Sequence, residues 1–253
     1  MFLYPKFNAD NIKILSESAG PTHEMLQDIC IQLLNKNMVK TIGYNSKETA
    51  VLLIKGSIQL IYDDQVFNAT RADFFKDLPV CIHFSHNTKI KVLALEDSEI
   101  LIQSTFNNNI FPTEVFHSDK LRCTVSCKDK WENTAVRNVI TIIDHYSAPH
   151  SNMVLGEVLV PQGRWWSYIP HSHPQPEVYY YKFADIRGFG ACFIDDQAYT
   201  IKEGSCGLFP GGVTHAQVTA PGYPMYCAWM IRHLDGNKWI DTRIDDPSHK
   251  WLL

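Results

Sequence analysis

Long hydrophobic runs are missing from this sequence. In its 253 residues no stretch reaches about 18 consecutive apolar residues, the length that a membrane-spanning helix requires. Residues 1–6 lack the charged segment followed by an apolar core that begins a secretory signal. We therefore expect a cytoplasmic protein that does not bind a membrane.

Cysteine is sparse as well. The seven cysteines are an odd number and do not form the dense framework of a disulfide-stabilised domain. Cys123 and Cys127 have three residues between them, which is not the spacing of a C-x-x-C pair. The four cysteines that lie in apolar runs are interpreted as buried reduced thiols: Cys30, Cys81, Cys192 and Cys227. This usage fits a cytosolic protein.

An excess of positive charge is also absent. The formal net charge is -4 and the isoelectric point is near 6.2, so no basic field is available to neutralise phosphates. We therefore expect no nucleic-acid partner. Hydrophobic residues make up 45% of the chain, which is enough for the core of a soluble globular protein. The length suits two domains of about 120 residues or one large domain.

Short β-prone runs separated by turn residues dominate the first half. Residues 49–54 and 58–62 are apolar runs joined around Gly56, which predicts two strands and a glycine turn between them. Three further strands are predicted, at residues 80–84, 89–95 and 99–102. Spacing of about ten residues with turn signals between strands is typical of an antiparallel sandwich or barrel.

Residues 22–36 are ambiguous between helix and strand. Apolar residues recur there at helical spacing, yet residues 30–34 also form a run that suits a strand. Periodicity alone leaves both alternatives open.

The second half repeats the architecture of the first. Residues 103–120 contain three consecutive asparagines, a proline and few periodic apolar residues, so we interpret them as the connection between two halves. Strands are then predicted at residues 135–143, 153–160, 178–183, 189–194, 198–201, 206–209, 216–219 and 225–231. The pattern predicts an all-β fold of two tandem antiparallel barrels, residues 1–110 and residues 111–253.

Four potential metal ligands lie in the second half. His171 and His173 share one face of a strand, because side chains alternate with period two. Glu177 follows after a short turn, and His215 follows a glycine- and proline-containing turn at residues 204–212. Three imidazoles and one carboxylate that converge from separate strands would form a divalent-metal site. Zinc, manganese, iron and nickel all accept this ligand set, so ligand type does not choose among them.

The first half has no comparable set. At the corresponding place it contains His83 and His86 without a carboxylate partner. We therefore expect one barrel with a site and one barrel without.

The two patterns are similar to those of the cupin superfamily, and further motifs narrow the resemblance. The chain resembles the 5-deoxy-glucuronate isomerase family of inositol catabolism, which is related to the uronate ketol-isomerase of pectin breakdown. The resemblance covers nearly the whole chain, and the sequence departs from the family pattern at Trp166, Ile169 and Pro174. The motifs that carry it are Leu53-x-x-Gly56, Arg71-x-x-Phe74, Pro176-Glu177-Val178-Tyr179-Tyr180-Tyr181, Pro221-Gly222-Tyr223 and Asp246-Pro247-x-His249-x-Trp251.

The resemblance implies both a fold and an activity. The fold is an all-β bicupin with its metal site only in the C-terminal barrel, which favours a strand for residues 25–36. The activity is an aldose–ketose isomerisation of 5-deoxy-glucuronate to 5-dehydro-2-deoxy-gluconate through a metal-stabilised enediolate. One divalent ion, zinc by preference, would be held by His171, His173, Glu177 and His215. The implied partners are a small-molecule sugar acid and further copies of the chain in a homo-oligomer.

Candidates for the remaining roles follow from strand parity and charge. Glu157 is a carboxylate in an apolar strand, where burial raises a pKa towards that of a general base, and an outward position is the alternative. Tyr181 is the second catalytic candidate, with a place in the barrel wall as the alternative. The substrate-binding candidates share parity with the ligands or carry a cation for a carboxylate: Arg137, Arg164, Tyr179, Lys182, Gln217 and Arg232.

Two other functions suit the same ligands. A different metal cupin, such as a dioxygenase or a sugar epimerase, would share only the metal site, and a dioxygenase would need iron and oxygen. A non-catalytic protein that binds a metal and a sugar acid is the third interpretation. Against a sensor of that kind, the sequence has neither a DNA-binding helix pair nor a basic patch.

Overall fold

The computed structural model describes all 253 residues, and nearly all of its regular secondary structure is β-strand. The predicted all-β fold is confirmed. Helix is confined to short 3-10 turns at Gly20–Met25, Ser118–Lys120, Trp131–Asn133 and Pro247–Leu252. None of these helices has the length and apolar character needed to cross a membrane.

The strands follow one another with short connections. The first ten are β1 (Phe2–Leu3), β2 (Ile12–Ser16), β3 (Asp28–Leu34), β4 (Val39–Ile42), β5 (Lys47–Tyr62), β6 (Gln65–Arg71), β7 (Cys81–Phe84), β8 (Ile90–Ala94), β9 (Ser98–Phe106) and β10 (Glu114–Phe116). The others are β11 (Arg122–Ser126), β12 (Arg137–Ile143), β13 (Met153–Val160), β14 (Trp165–Ser172), β15 (Glu177–Phe183), β16 (Phe189–Ile194), β17 (Gln197–Lys202), β18 (Cys206–Phe209), β19 (His215–Thr219), β20 (Met225–Arg232) and β21 (Ile244–Asp245).

The chain forms two compact units. The N-terminal unit comprises Lys6–Leu121 and Ile142–Met153, and the C-terminal unit comprises Met1–Pro5, Arg122–Thr141 and Val154–Leu253. The division into barrels at residues 110 and 111 stays a prediction. No single cut in the sequence separates the two units. Met1–Pro5 belong to the C-terminal unit, and Ile142–Met153 belong to the N-terminal unit.

The N-terminal unit is built on one nine-stranded antiparallel sheet. Its main path runs β10-β7-β5-β9-β3-β2. Off this path, β6 and β8 pair with β5, and β4 pairs with β8. The ambiguous residues 25–36 contain β3, so the strand that the resemblance favoured is confirmed there. The interpretation of residues 103–120 as a connection is wrong in part. The first four of these residues continue β9, and Glu114–Phe116 form β10, which pairs with β7.

The predicted glycine turn at Gly56 is wrong. One strand, β5, continues from Lys47 to Tyr62 through this residue, with a register shift between Leu53 and Lys55. Gly56 has a φ of +115°, and a Cβ atom there would lie 2.3 Å from the Ser98 Oγ. Glycine thus bends the strand at a close approach instead of reversing it, and the chain pairs with β9 before the bend and with β6 and β8 after it.

The C-terminal unit encloses a core between two sheets. The seven-stranded sheet has the order β1-β18-β15-β20-β13-β12-β11, and the five-stranded sheet has the order β17-β16-β19-β14-β21. Both sheets contribute side chains to one apolar cluster, for example Val154, Tyr181 and Trp229 from the first and Trp166 and Cys192 from the second. Burial of such side chains stabilises the unit by about 25 cal/mol per Å² of apolar surface.

Strand parity decides which side chains reach this interior. On β13, Val154 and Val158 belong to the apolar cluster, so Glu157 lies on the other face of the sheet. On β15, Tyr179 and Tyr181 belong to the cluster, and Glu177 shares their parity. The interior between the two sheets therefore receives Glu177 and not Glu157.

Candidate metal centre

Three buried side chains meet at one end of this interior. The carboxylate Oε2 of Glu177 lies 3.1 Å from the Nε2 of His173 and 3.3 Å from the Nε2 of His215. One potential ligand atom from each residue lies within 4.8 Å of the others. The His173–Glu177–His215 group contains three of the four predicted ligands, and the assignment of a metal to them stays a prediction.

Close backbone approach brings the group together. His173 follows β14, and its carbonyl accepts a hydrogen bond of 2.8 Å from the backbone N–H of Gly212. A Cβ atom on Gly211 would lie 1.9 Å from the carbonyl oxygen of Pro174, so this contact needs a glycine. The turn at Gly211 and Gly212 thereby places His215, the first residue of β19, beside the residues that follow β14.

His171 stands next to the group without joining its closest contacts. It is the register partner of His215 on the β14–β19 ladder, and the two ring centroids lie 4.8 Å apart. Its ring centroid lies 6.4 Å from that of His173. Desolvation and the neighbouring His215 hold the pKa of His171 well below 6.5, so this imidazole is neutral at physiological pH.

The donor set fits a divalent cation. The Nδ1 of His171 and the Nδ1 of His215 each lie 3.2 Å from a backbone carbonyl that accepts a hydrogen bond from Nδ1, so each ring presents Nε2 to an ion once that nitrogen carries no hydrogen. Burial by itself raises the pKa of Glu177, but hydrogen bonds from His173 and His215 lower it to about 2. The carboxylate is therefore charged. The Nδ1 of His173 is buried without a hydrogen-bond partner.

A cavity of about 260 Å³ opens beside this group. His171, His173 and Glu177 form part of its wall. The rest of the wall combines hydroxyl, aromatic and guanidinium groups, among them Thr124, Ser126, Arg137, Thr141, Trp166, Ser167, Tyr179, Trp229, Trp239 and Arg243. Concave sites that combine apolar walls with a few convergent polar groups are typical of small-molecule binding.

Arg137 supplies a buried guanidinium to the cavity. Its Nη1 donates to the carbonyl of Ala135 at 2.9 Å and to the Cys127 Sγ at 3.1 Å. The side chain lies on β12 opposite Ser126 of β11. Its Nε and Nη2 have no acceptor within the protein, so they are available to an anion in the cavity.

Among the predicted substrate-binding residues, Tyr179 contacts the His173–Glu177–His215 group directly. Its hydroxyl lies 3.2 Å from the Nε2 of His215 and 3.2 Å from the Oγ of Ser167. Burial and the nearby Glu177 raise the pKa of Tyr179 well above 10, so the phenol is neutral. A neutral phenol at this position is a hydrogen-bond donor facing the cavity.

Tyr181 and Gln217 are not brought to the cavity. The Tyr181 hydroxyl and the Gln217 Nε2 each lie 3.7 Å from the Sγ of Cys192, deeper in the core. Burial raises the pKa of Tyr181 well above 10 and that of Cys192 to about 11. These three side chains form a polar contact inside the apolar cluster.

Four other predicted residues also lie away from the cavity. Glu157 is fully buried on the opposite face of the seven-stranded sheet, where it accepts a hydrogen bond of 2.8 Å from the Tyr226 hydroxyl. Lys182 forms an ion pair of 3.0 Å with Glu203. Arg164 and Arg232 do not line the cavity either, and the Arg232 guanidinium donates to the carbonyl of its neighbour His233.

Sequence reasoning missed several residues of the cavity wall. Arg122 and Arg243 both line it, and each forms an ion pair with an aspartate, Asp241 at 3.5 Å and Asp245 at 2.5 Å. No signal in the sequence connects these arginines with β15. Trp229 could have been predicted from the alternation of side chains on β20, because Trp229 is the register partner of Tyr179.

The expectation that His83 lacks a carboxylate partner is wrong. In the N-terminal unit its Nε2 lies 2.9 Å from the Oε2 of Glu48, and both side chains are fully buried. Glu48 also accepts hydrogen bonds from the Ser151 hydroxyl at 3.0 Å and from the Asn152 backbone N–H at 2.6 Å. The two partners are 35 residues apart in the sequence, so spacing gave no indication of the pair.

Comparison with known proteins assigns the chain to a family. Residues 3–252 match the family model described as KduI/IolB family. The chain belongs to the KduI/IolB family. A 5-deoxy-glucuronate isomerase of Geobacillus thermodenitrificans is 22% identical over 267 residues, which cover 98% of this chain and 93% of that protein. A 5-deoxy-glucuronate isomerase of Listeria monocytogenes is 25% identical over 226 residues, which cover 81% of this chain and 80% of the relative.

Solved structures show the fold. An IolB-like protein from Salmonella typhimurium superimposes with a TM-score of 0.86 at 18% identity, covering 99% of this chain and 98% of that one. An oxalate decarboxylase from Lactobacillus farciminis superimposes with a TM-score of 0.67 at 11% identity, covering 95% and 84%. At these identities the likeness concerns the all-β, cupin-like fold alone.

Proposed function

We propose that this protein is an aldose–ketose isomerase that converts 5-deoxy-glucuronate to 5-dehydro-2-deoxy-gluconate in inositol catabolism. The curated relatives are named for an isomerase of this substrate, and they indicate that the chain is an isomerase. The observation that carries the proposal is the buried His173–Glu177–His215 group, of which His173 and Glu177 line the same cavity as Arg137. The His173–Glu177–His215 group would hold an ion at the reacting end of a sugar acid, and Arg137 would bind the carboxylate of that acid.

The proposed ligands are His171, His173, Glu177 and His215, with zinc as the preferred ion and manganese, iron or nickel as the alternatives. A bound divalent cation would supply positive charge where negative charge develops on adjacent substrate oxygens. Two features of the chain suit such an ion. Glu177 is ionised, and the Nδ1 atoms of His171 and His215 form hydrogen bonds with backbone carbonyls, which orients both rings.

Arg137 is proposed to orient the sugar acid. Two contacts of its Nη1, with Ala135 and Cys127, hold the guanidinium in place, so little side-chain freedom is lost when a carboxylate binds. A guanidinium accepts a carboxylate in a two-point geometry, which fixes direction as well as position. The carboxylate end of the substrate would then be held away from the reacting carbons.

Tyr179 is proposed to donate a hydrogen bond to a substrate oxygen. Its hydroxyl is neutral, faces the cavity and lies between Ser167 and His215. Glu157 and Tyr181 were the sequence-based candidates for proton transfer, but neither lines the cavity. We therefore assign proton transfer to groups at the cavity wall. Tyr179, whose phenolic oxygen carries a proton, is one of these groups.

Isomerisation of 5-deoxy-glucuronate tests the proposal directly. Purified protein is assayed without oxygen in deuterated water, with NMR detection of exchange at the carbon beside the carbonyl and with elemental analysis of bound metal. We expect turnover and one divalent ion per chain. His215→Ala should lose both, and the exposed His23→Ala should lose neither. Full activity of a metal-free His215→Ala protein would contradict the mechanism, and a need for oxygen would point to a dioxygenase.

We further propose a cytoplasmic homo-oligomer. Strand β11 ends the seven-stranded sheet, and its Val125 side chain is 58% exposed. An exposed strand edge with apolar side chains is a surface that a second copy can cover. Light scattering of the purified protein tests this, and a mass of one chain would contradict it.

A further inference from the structure

The indole of Trp229 lies directly on the backbone of β13. Gly156 shares the inward parity of Val154 and Val158. A Cβ atom on Gly156 would lie 2.4 Å from the Cζ2 of Trp229, 2.5 Å from its Cε2 and 2.6 Å from the carbonyl oxygen of Ile140. No side chain larger than hydrogen fits there without displacing the ring. A glycine in mid-strand costs stability, so its use at this point indicates a close approach.

A second tryptophan holds the ring from another side. The Trp239 ring centroid lies 5.6 Å from that of Trp229 at an interplanar angle of 60°. The backbone N–H of Trp239 donates to the Nδ1 of the buried His233 at 3.0 Å, which fixes this part of the chain. Trp229 is 6% exposed, and both tryptophans line the cavity. The indole of Trp229 is therefore a rigid part of the cavity wall.

The ring neighbours both proposed anchors of the substrate. Trp229 pairs with Tyr179, which is two residues, or about 7 Å of strand, from Glu177. Ile140, beside Gly156, is three residues, or about 10 Å of strand, from Arg137. Trp229, Arg137 and Glu177 line the same cavity, so a sugar acid held by the metal ligands at one end and by Arg137 at the other would pass this indole with its carbon chain.

We propose that Trp229, placed by Gly156, determines substrate specificity: its indole packs against the methylene group of a deoxy sugar acid and disfavours acids that carry a hydroxyl on that carbon. The inference rests on the proposed function, because the metal ligands and Arg137 set the direction of the substrate. It adds the residue that distinguishes the deoxy acid from its hydroxylated analogue.

The discrimination follows from the chemistry of the indole face. When a methylene group packs on an aromatic ring, its apolar surface leaves water, and this lowers the free energy of binding. A hydroxyl over the ring face gives up its bonds to water and finds no polar partner there, since the one polar atom of the indole, the unpartnered Nε1, lies at the ring edge. Apolar pockets reject an added hydroxyl by about 100-fold at most. We therefore expect wild-type kcat/KM to favour 5-deoxy-glucuronate over glucuronate by about 10- to 100-fold.

Substitutions at the ring and under it provide the test. Trp229→Ala should reduce the preference for 5-deoxy-glucuronate over glucuronate by about 10-fold or more, and Trp229→Phe should keep most of it because an aromatic face remains. Gly156→Ala should reduce it by displacing the ring, and if this variant does not fold the two Trp229 variants decide. Tyr146→Ala, at a 67% exposed aromatic residue, is the control with an unchanged preference. All variants should contain the wild-type amount of metal.

Two outcomes overturn the inference. One is a Trp229→Ala protein that is folded and metal-loaded and keeps the wild-type preference. The other is a Trp229→Phe protein that loses the preference as fully as Trp229→Ala does. If the wild-type protein turns over neither acid, the proposed function fails, and calorimetric titration of the metal-loaded protein with each acid decides the inference separately. Tighter binding of the deoxy acid to wild type but not to Trp229→Ala supports it, and equal or absent binding overturns it.

Discussion

Each unit of this protein buries a histidine beside a glutamate, and the pair in the C-terminal unit lines a cavity with a polar wall. In the C-terminal unit the Nε2 of His173 lies 3.1 Å from Glu177, and in the N-terminal unit the Nε2 of His83 lies 2.9 Å from Glu48. The pairs have nearly the same length and burial. What differs is the set of other groups around each carboxylate.

The surroundings of Glu48 satisfy it with groups of the protein. Besides His83, its oxygens accept hydrogen bonds from the Ser151 hydroxyl, the Asn152 backbone N–H and the Asn107 side chain. Burial raises the pKa of Glu48, and the bond to His83, followed by the other donors, lowers it below 4.5 overall. A carboxylate with filled acceptor positions stabilises the fold and has no position left for an ion.

The surroundings of Glu177 are mainly imidazoles. His173 and His215 contact its carboxylate, His171 stands beside them, and the cavity is adjacent. Imidazole nitrogens release their hydrogen and coordinate an ion, whereas a backbone N–H does not. A buried His–Glu pair is thus insufficient to identify a metal site. The groups that complete the carboxylate decide between a structural and a functional role.

The largest expected effect comes from Glu177→Gln. The amide keeps the size of the side chain but removes the charge that an ion requires, so metal content and isomerase activity should fall by at least about 100-fold. Elemental analysis and the NMR assay measure both. The matched Glu48→Gln protein should keep its metal, and equal metal loss in the two variants would remove the distinction between the pairs.

Glu48→Gln should instead lower stability. Glu48→Gln removes the charged acceptor of the hydrogen bonds from Ser151, Asn152 and Asn107 and of the contact with His83, so the free energy of unfolding should fall by about 2 kcal/mol. Urea denaturation of the metal-free protein measures the change. Glu24→Gln, at an exposed position, is the control. A Glu48→Gln protein as stable as wild type would show that the His83–Glu48 pair does not stabilise the fold.

Arg137→Lys should have an intermediate effect. The ammonium keeps the charge but not the two-point geometry, and loss of one charged hydrogen bond corresponds to about a 10-fold decrease in kcat/KM with metal content unchanged. Arg187→Lys, at a surface arginine paired with Asp185, should have no effect. If the two variants have the same activity, Arg137 does not bind the carboxylate.

The pH dependence of stability should differ between wild type and Glu48→Gln. The folded pKa of Glu48 lies below its ordinary value of 4.5, so its contribution to stability is present above pH 4.5 and is lost as the pH falls below that value. The stability difference between the two metal-free proteins should therefore shrink on acidification. A difference that stays constant from pH 6 to pH 3 would contradict this assignment.

Tyr181→Phe should have the smallest effect. Its hydroxyl contacts only the weak acceptor Cys192 and does not line the cavity, so kcat/KM should change by less than about threefold. A loss of 100-fold in the isomerase assay would return Tyr181 to the catalytic role that the sequence suggested.

Local patterns predicted most strands and three residues that meet at one place, His173, Glu177 and His215, for a clear reason. Alternation and turn residues act over a few positions, and the His-x-His pair, Glu177 and the turn before His215 are close in sequence or marked by glycine and proline. The turn predicted at Gly56 is wrong, and one contact explains why. At Gly56 the approach of Ser98 bends β5 where a turn was expected.

The all-β fold and the residues near Glu177 could be predicted from the order of amino acids, because both follow from short-range patterns. Which carboxylate faces the cavity depends on how the sheets pack, since parity defines two faces of β13 but not which one is inside. The tertiary structure also placed Trp229 on Gly156 and His83 on Glu48, which are contacts between residues far apart in the chain. Such contacts depend on how strands pair across sheets, and no local pattern encodes that pairing.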